Sequence, residues 1–122
     1  MIIERLESTK LFKEELIKKE YIRTKQYKSG QFISDYFDDE YYVGVIDYGE
    51  VVVYCISSDG TEVSMSSLTT GDVFGIANVF EESALESVLQ CKTFTNVIFY
   101  PKKYFVEMLE TDTSVCIQYA KY

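Results

Sequence analysis

The strongest structural signal in the chain is the segment Gly71-Asp72-Val73-Phe74-Gly75-Ile76-Ala77-Asn78-Val79-Phe80. It opens on the turn Thr70-Gly71-Asp72 and follows a pattern that is typical of a β-hairpin. That hairpin pairs residues 51–57 with residues 61–68, because Asp59-Gly60 between them favours the positive φ angles of a tight turn. The segment therefore belongs to a region of closely spaced antiparallel strands.

Short runs of β-branched and aromatic residues continue this pattern on both sides of the hairpin. Further strands are predicted at residues 22–27, 31–34, 41–47, 86–92 and 95–100. The acidic stretch 35–40 lacks the spacing of a calcium loop and is predicted to be a solvated loop, and residues 80–84 a single helical turn. Turns that recur this often, with short strands between them, indicate an antiparallel barrel or jelly roll.

Helical patterns flank the strands at both ends. Residues 2–20 are predicted to be helical, with a possible division into two helices if Ser8 and Thr9 cap the second one. Pro101 opens a C-terminal helix whose apolar stripe consists of Tyr104, Phe105, Met108 and Leu109. A further helix is predicted from about residue 112. The fold class is therefore mainly β: a double-stranded β-helix or jelly-roll barrel with an N-terminal helical segment and C-terminal helices, forming one domain over residues 1–122.

Composition excludes several classes of function. The chain carries a net charge of -8 and no cluster of Lys and Arg, so as given it should not bind DNA. It contains no histidine, which excludes a Ser-His-Asp triad and imidazole-based metal sites. No apolar run has membrane-spanning length. We therefore expect a non-enzymatic protein with no catalytic residues, no metal, no cofactor and no membrane contact.

The three cysteines, Cys55, Cys91 and Cys116, match no metal-binding or redox motif. Without a signal peptide, an odd number of cysteines favours reduced thiols in the cytoplasm. We favour the interpretation that the three cysteines are small apolar side chains buried in the core. A redox sensor at Cys91 is a weaker alternative, because a reactive thiolate needs positive neighbours and the sequence offers only Lys92.

Several short motifs occur together in an order that is informative. They are Leu11-Phe12, Tyr27-Lys28-Ser29-Gly30-Gln31, Gly49-Glu50-Val51-Val52-Val53-Tyr54, Asp59-Gly60-Thr61-Glu62, Gly71-Asp72-Val73-Phe74-Gly75 and Pro101-Lys102-Lys103-Tyr104-Phe105. In this order and spacing, the chain resembles the effector domain of the catabolite-activator/FNR family of bacterial transcription regulators. The resemblance covers nearly the whole chain. It implies a cyclic-nucleotide-binding-like barrel that regulates a DNA-binding domain.

The resemblance also places a ligand pocket, with Gly75, Ile76, Ala77, Glu86 and Ser87 as its candidate residues. Family members that bind cyclic nucleotides have a glutamate after the Phe-Gly step, and an arginine followed by a small hydroxyl residue. Ile76 stands at the glutamate position, Glu86 at the arginine position and Ser87 at the hydroxyl position, so only the serine matches.

These departures predict no useful binding of cyclic AMP or cyclic GMP. Glu86 would oppose a phosphate with a repulsion on the order of 4 kcal/mol at contact distance. Lys92, the cation nearest in sequence, is a point charge and not a bidentate fork. Alternatively, Ile76 fills the vacated cavity as part of the core.

The family resemblance further implies that the helix from about 112 to 122 begins a dimer interface, with Val115, Tyr119 and Tyr122 along its seam. Packing of this helix against the barrel is the alternative.

The leading hypothesis is a sensor and dimerisation domain of a transcription regulator. It forms a homodimer, responds to a small neutral or apolar effector or to none, and contacts DNA only through a helix-turn-helix domain that is not present in this chain. The main alternative is a stand-alone barrel that binds a ligand or a protein. A cupin-like enzyme is disfavoured, because those active sites usually hold metal through histidine.

Overall fold

The strands of the protein form two antiparallel sheets that face each other. In the computed structural model, residues 2–8, 12, 17–57, 59–61, 63–75 and 86–111 are described. The elements are α1 (Ile2–Ser8), a 3-10 turn (Lys19–Tyr21), β1 (Arg23–Tyr27), β2 (Phe32–Ile33), β3 (Tyr36–Phe37), β4 (Glu40–Tyr48), β5 (Val51–Ile56), β6 (Val63–Leu68), β7 (Val73–Phe74), β8 (Glu86–Cys91), β9 (Thr95–Pro101) and α2 (Lys102–Thr111). The predicted mainly β, jelly-roll fold class is confirmed.

One sheet has five strands and the other has four. The five-stranded sheet has the order β1-β9-β4-β3, and β7 also pairs with β4. The four-stranded sheet has the order β2-β8-β5-β6. The predicted hairpin around Asp59-Gly60 is β5–β6, where the Asp59 carboxylate accepts hydrogen bonds from Ser57 and Thr61. These bonds lower the pKa of Asp59 to about 2.

The two central strands of the five-stranded sheet are buried on both faces. On one face, Val43, Val45, Ile98 and Tyr100 join a core cluster with the helical segments. On the other face, Tyr42, Ile46, Val97 and Phe99 join a second cluster with residues of the four-stranded sheet. Successive side chains of a strand point to opposite faces, so an unbroken apolar run requires a cover on each side.

The helices supply the cover on one of these faces. Phe105, Met108 and Leu109 of α2 are buried there, with Tyr104 partly buried beside them, so the predicted apolar stripe of this helix is confirmed. Leu6 of α1 joins the same cluster. Among the described residues, no helix is long and apolar enough to cross a bilayer.

The N-terminal helical segment does not extend through residues 17 and 18 as predicted. The helix α1 covers Ile2–Ser8, where the Ser8 hydroxyl donates to the Arg5 carbonyl oxygen at 2.6 Å, and Ile17 and Lys18 are not helical. The prediction of a helix through residue 20 is therefore wrong at these positions. The Lys18 N–H donates instead to the hydroxyl of buried Tyr100 at 2.9 Å, and a continuous helix would use that N–H internally. The predicted division into two helices at Ser8 and Thr9 involves residues outside those described.

The acidic stretch 35–40 is not simply a loop, which corrects the sequence prediction. Tyr36 and Phe37 form β3, and Asp38-Asp39 make a tight turn into β4 with φ angles of 53° and 58°. The aromatic side chains explain the hairpin. Phe37 stacks on Tyr42 with ring centroids 4.1 Å apart, and Tyr36 packs on Tyr41 at 4.6 Å.

A close contact between Gly44 and Phe74 attaches β7 to the five-stranded sheet. The two residues are opposite each other in the β4–β7 pairing, which the sequence analysis did not predict as a strand pair. A Cβ atom on Gly44 would lie 2.1 Å from the nearest carbon of the Phe74 ring. The absence of a side chain at residue 44 therefore makes room for the ring, which also packs edge-on against Phe99 at 5.9 Å.

We expect Gly44→Ala to destabilise the protein by about 1–3 kcal/mol, because the added methyl group overpacks the contact with Phe74. Urea unfolding measures the change. The variant Gly44→Ala/Phe74→Leu is the control, since a smaller residue 74 should accept the methyl group. The single variant Phe74→Leu is measured as well. If the stability lost by the double variant equals the sum of the losses of Gly44→Ala and Phe74→Leu, the steric explanation is wrong.

Candidate ligand site inside the barrel

The register of the four-stranded sheet identifies which residues face the barrel interior. Val51 on β5 lies opposite Leu68 on β6 and Cys91 on β8. Val51 and Cys91 are 0% and 1% exposed and belong to the core cluster between the sheets. Because directly paired residues share a face, the odd-numbered positions of β5 and β8 and the even-numbered positions of β6 face inward.

This inner face is closed at one end and accessible at the other. Beyond buried Val51, the inward residues Val53 and Cys55 are partly exposed. Val53 lies opposite Leu89 and Ser66, and Cys55 lies opposite Ser64 and the backbone position of Ser87. The described inner-face side chains at this end are therefore Val53, Cys55, Ser64, Ser66 and Leu89, which we call the inner-face group.

The first four residues of β6 have an inverted amphipathic pattern. Inward Ser64 and Ser66 are polar, whereas outward Val63 and Met65 are apolar and 60% and 66% exposed. The last two residues, outward Ser67 and inward Leu68, have the usual arrangement. A strand on the edge of a packed barrel normally shows the opposite arrangement. Two hydroxyl groups are thus directed to the interior side of the sheet, where they can donate and accept hydrogen bonds.

The inner-face group was not predicted from the sequence. The inward set depends on which residues of β5 lie opposite each residue of β6. One signal was visible in the sequence: residues 63–66, Val-Ser-Met-Ser, alternate between apolar and polar.

Of the predicted pocket residues, Gly75 is the one that the structure places with a clear packing role. It directly follows β7 with φ 86°, and a Cβ atom there would lie 2.8 Å from the Tyr42 carbonyl oxygen. Glycine is needed for this backbone conformation and for the close approach to β4. Whether Gly75 also contacts a ligand stays a prediction.

The side chains of the other predicted pocket residues lie outside the part of the chain that the structure describes. Ile76 and Ala77 lie outside the described residues, as do the predicted helical turn at 80–84 and the dimer-helix residues Val115, Tyr119 and Tyr122. Glu86 and Ser87 are the first two positions of β8, opposite Ile56 and Cys55. The register therefore brings the Ser87 position beside the inner-face group, and the roles of all these residues stay predictions.

The inner-face group is uncharged. Its members are apolar side chains, one thiol and two hydroxyl groups. The cation nearest to Cys91 in sequence, Lys92, lies 3.8 Å from a carboxylate oxygen of Glu50. A cyclic phosphate needs a positively charged, preferably bidentate partner, and the described part of the inner face provides none.

A shallow surface groove of about 650 Å³ lies between the β3–β4 hairpin and α2, outside the barrel. Both of its lysines and the Glu40 carboxylate are already engaged. The Lys103 ammonium lies 3.2 Å from the buried Oε1 of Glu40, and Lys102 lies over the Tyr41 ring at 5.3 Å. The ion pair, although not aligned as a hydrogen bond, compensates the Glu40 oxygen. The groove is therefore a weaker ligand site than the inner face.

The thiol of Cys91 is poorly suited to redox sensing. The residue is buried, and burial raises the pKa of its thiol. Its positive sequence neighbour, Lys92, is paired with Glu50. Both observations oppose thiolate formation near neutral pH and favour the interpretation of Cys91 as a core residue.

We expect Cys91 to react with thiol reagents at least about tenfold more slowly in the folded chain than in denaturant, because the thiol is buried and mainly protonated. The Cys55→Ser/Cys116→Ser variant isolates it, and Cys91→Ser/Cys116→Ser isolates partly exposed Cys55 for comparison. Since folding raises the Cys91 pKa, its rate should increase only at alkaline pH. Fast reaction at pH 7 in the folded chain would restore the redox-sensor hypothesis.

These features define a jelly roll whose inner face is accessible at one end. The profile of the cyclic nucleotide-binding domain family matches residues 24–112. The chain belongs to the cyclic nucleotide-binding domain family, and the resemblance seen in the sequence is confirmed. No curated protein sequence matches the chain significantly.

Solved structures show the same fold. The sensor domain of the transcriptional regulator DNR from Pseudomonas aeruginosa is 14% identical, with a TM-score of 0.69 over 93% of this chain and 80% of that one. The Thermus thermophilus catabolite activator protein is 15% identical, with a TM-score of 0.66, over 97% and 51%. The regulatory subunit of a cAMP-independent protein kinase A from Trypanosoma cruzi, bound to guanosine, is 16% identical, with a TM-score of 0.71, over 98% and 46%. The chain thus spans about half of the two longer proteins.

Proposed function

We propose that the chain is a sensor and dimerisation domain of a bacterial transcription regulator whose barrel binds an uncharged effector. The observation that carries this proposal is the uncharged inner-face group with its two inward hydroxyls, Ser64 and Ser66. A cyclic nucleotide-binding fold that keeps an accessible interior but offers a phosphate no described cation there is suited to a neutral ligand.

The sequence positions that differ from the family pattern support the same conclusion. Ile76 lacks the acceptor that holds a ribose hydroxyl, and Glu86 replaces a phosphate-binding cation with an anion. Both changes disfavour cyclic AMP and cyclic GMP, whereas a neutral ligand avoids the charge repulsion.

A nucleoside is the most specific neutral candidate. It has the planar base and the ribose of a cyclic nucleotide, but free hydroxyl groups take the place of the cyclic phosphate. The Trypanosoma cruzi protein with the same fold is described as cAMP-independent and bound to guanosine. The inner-face group, with apolar side chains beside hydroxyls, offers the mixture of packing and hydrogen bonding that a nucleoside requires.

The regulatory role rests on the similarity to DNR and to the catabolite activator protein. With a net charge of -8, the chain would contact DNA through a separate helix-turn-helix domain. Effector binding would shift a homodimer whose seam includes Val115, Tyr119 and Tyr122, with a coupling of about 1–3 kcal/mol. Such a regulator acts in the cytoplasm and uses no catalytic residue or cofactor.

Ser66→Val should weaken guanosine binding by about three- to tenfold, because it removes an inward hydroxyl and its hydrogen bond. Ser67→Val is the matched control, since the neighbouring residue of β6 faces outward and should leave the affinity unchanged. Isothermal titration calorimetry with guanosine and adenosine measures both. Failure of both nucleosides to bind, or equal effects of the two substitutions, contradicts this assignment of the ligand.

Ile76→Glu/Glu86→Arg should create binding of cyclic AMP that the unmodified chain lacks, because it installs the acceptor and the cation of the family pattern. Ile76→Glu/Glu86→Gln is the control that keeps the acceptor and adds no cation. Calorimetry with cyclic AMP and cyclic GMP provides the readout. Micromolar affinity of the unmodified chain for either nucleotide would overturn the neutral-effector proposal.

A second candidate is a stand-alone module that binds a protein, and the outward apolar residues Val63 and Met65 favour it. The native reading frame after the Tyr122 codon distinguishes the two candidates. A basic helix-turn-helix pattern there supports the regulator, and an immediate stop codon supports the stand-alone module.

A further inference from the structure

The outer face of the four-stranded sheet is unusually apolar. Three of its side chains, Phe32, Val63 and Met65, are 62%, 60% and 66% exposed. The partly exposed residues that share this face through the strand register are Val52, Tyr54, Ile56 and Val88. We call these seven residues the apolar outer face. Exposed apolar areas of this kind in a soluble fold mark interaction surfaces.

The strand β6 forms one edge of this sheet and has none of the usual protection. Among the described strands, it pairs with β5 alone, in an unbroken register without a bulge. Its sequence, Val-Ser-Met-Ser-Ser-Leu, contains no charge and no proline. No other described strand pairs with its second edge, so the N–H and C=O groups there can pair with another strand.

The other described edge strands are protected. In the five-stranded sheet, β1 carries Arg23 and Lys25, and charged side chains discourage edge-to-edge pairing. The remaining edge strands, β2, β3 and β7, are each only two residues long. The combination of length, neutrality and an apolar flank is thus specific to β6 among the described edge strands.

We propose that β6 pairs in an antiparallel manner with β6 of a second copy of this chain, which joins the two four-stranded sheets into one continuous sheet across a twofold axis. In a register centred on Met65, the two Met65 residues lie opposite each other and Val63 lies opposite Ser67 of the second copy. Directly opposed residues share a face, so the apolar outer faces of both copies become continuous.

The neutrality of β6 makes it a place where two copies can meet. Each copy has a net charge of -8, so two copies repel wherever acidic surfaces meet. The apolar outer face and the neutral edge of β6 allow two copies to approach without a like-charge contact among the described side chains. An antiparallel edge strand is also complementary to itself about a twofold axis, which a strand from an unrelated protein need not be.

This interface is separate from the dimer helix of the proposed function. The helix α2, which precedes that segment, packs on the five-stranded sheet, whereas β6 is at the edge of the other sheet. Each interface can therefore exist without the other. If both form, two kinds of twofold contact generate assemblies larger than a dimer.

Met65→Lys in the full chain tests the proposal by sedimentation velocity over a wide concentration range. We expect association through β6 to weaken by about tenfold or more, because two ammonium groups would be directly opposed. Met65→Leu should preserve association. Gln26→Lys adds the same charge to exposed β1 and should also leave association unchanged. Because Met65 is 66% exposed, the variants should fold normally, which circular dichroism verifies.

The outcome also separates this inference from the proposed function. With both interfaces present, Met65→Lys converts larger assemblies to dimers; with β6 alone, it converts dimers to monomers. A wild-type chain that is monomeric at all concentrations overturns the inference. An unchanged association of Met65→Lys, or an equal effect of Gln26→Lys, also overturns it.

Hydrogen exchange provides the second measurement. Pairing of β6 should protect alternate amides of residues 63–68 increasingly as the concentration of the wild-type chain rises. If association weakens in Met65→Lys but these amides stay unprotected in the wild-type chain at high concentration, the copies do not meet by strand pairing and the inference fails.

Discussion

The burial of β4 and β9 on both faces is the constraint on which the rest of the structure depends. Residues 42–46 and 97–101 are buried without interruption, so neither face of the five-stranded sheet can remain in water. The helices must cover one face and the four-stranded sheet the other. The same constraint explains Gly44, where the missing side chain admits the ring of Phe74 and thereby fixes the position of β7 and Gly75. Packing in the core thus positions Gly75, a residue of the predicted ligand pocket.

The four-stranded sheet is buried less completely than the five-stranded sheet, as its edge strand β6 illustrates. Residues 63–66 of β6 alternate between apolar and polar like those of many half-buried strands, but the polar side chains, Ser64 and Ser66, face inward. Such an arrangement costs the core some apolar contact and exposes Val63 and Met65 to water. Our two proposals give each consequence a role. The inward hydroxyls would hydrogen-bond a neutral effector, and the outward side chains would form a surface for association.

Membership of the cyclic nucleotide-binding domain family defines the architecture of this chain but does not define which ligand it binds. The jelly roll can form without a nucleotide, because the burial between its sheets does not involve the residues that recognise phosphate. Loss of the family's glutamate and arginine, as the sequence predicts here, would therefore leave the fold intact while changing what the interior can bind. Regulation by a different ligand requires only that the new ligand distinguishes between two states of the domain.

Local sequence patterns were sufficient to predict the fold class, most strands, the β5–β6 hairpin and the buried stripe of α2. These features depend on turn chemistry and on the periodicity of apolar residues, which are properties of short segments. The non-helical backbone at Ile17 and Lys18 and the pairing of Tyr36 and Phe37 with β4 were not predictable in this way. The first accompanies a hydrogen bond from Lys18 to Tyr100, 82 positions away, and the second depends on aromatic stacking that outweighs an acidic composition.

The candidate site, too, was predictable from the sequence in some respects and not in others. Residue identities alone showed that Ile76 and Glu86 do not match a phosphate site, because charge and hydrogen-bonding capacity belong to the side chain itself. Three-dimensional pairing was needed to assign Val53, Cys55, Ser64 and Ser66 to one inner face and Met65 to the opposite one. A shift of one residue in strand register exchanges the two faces, and register is fixed by contacts between strands that are distant in the chain.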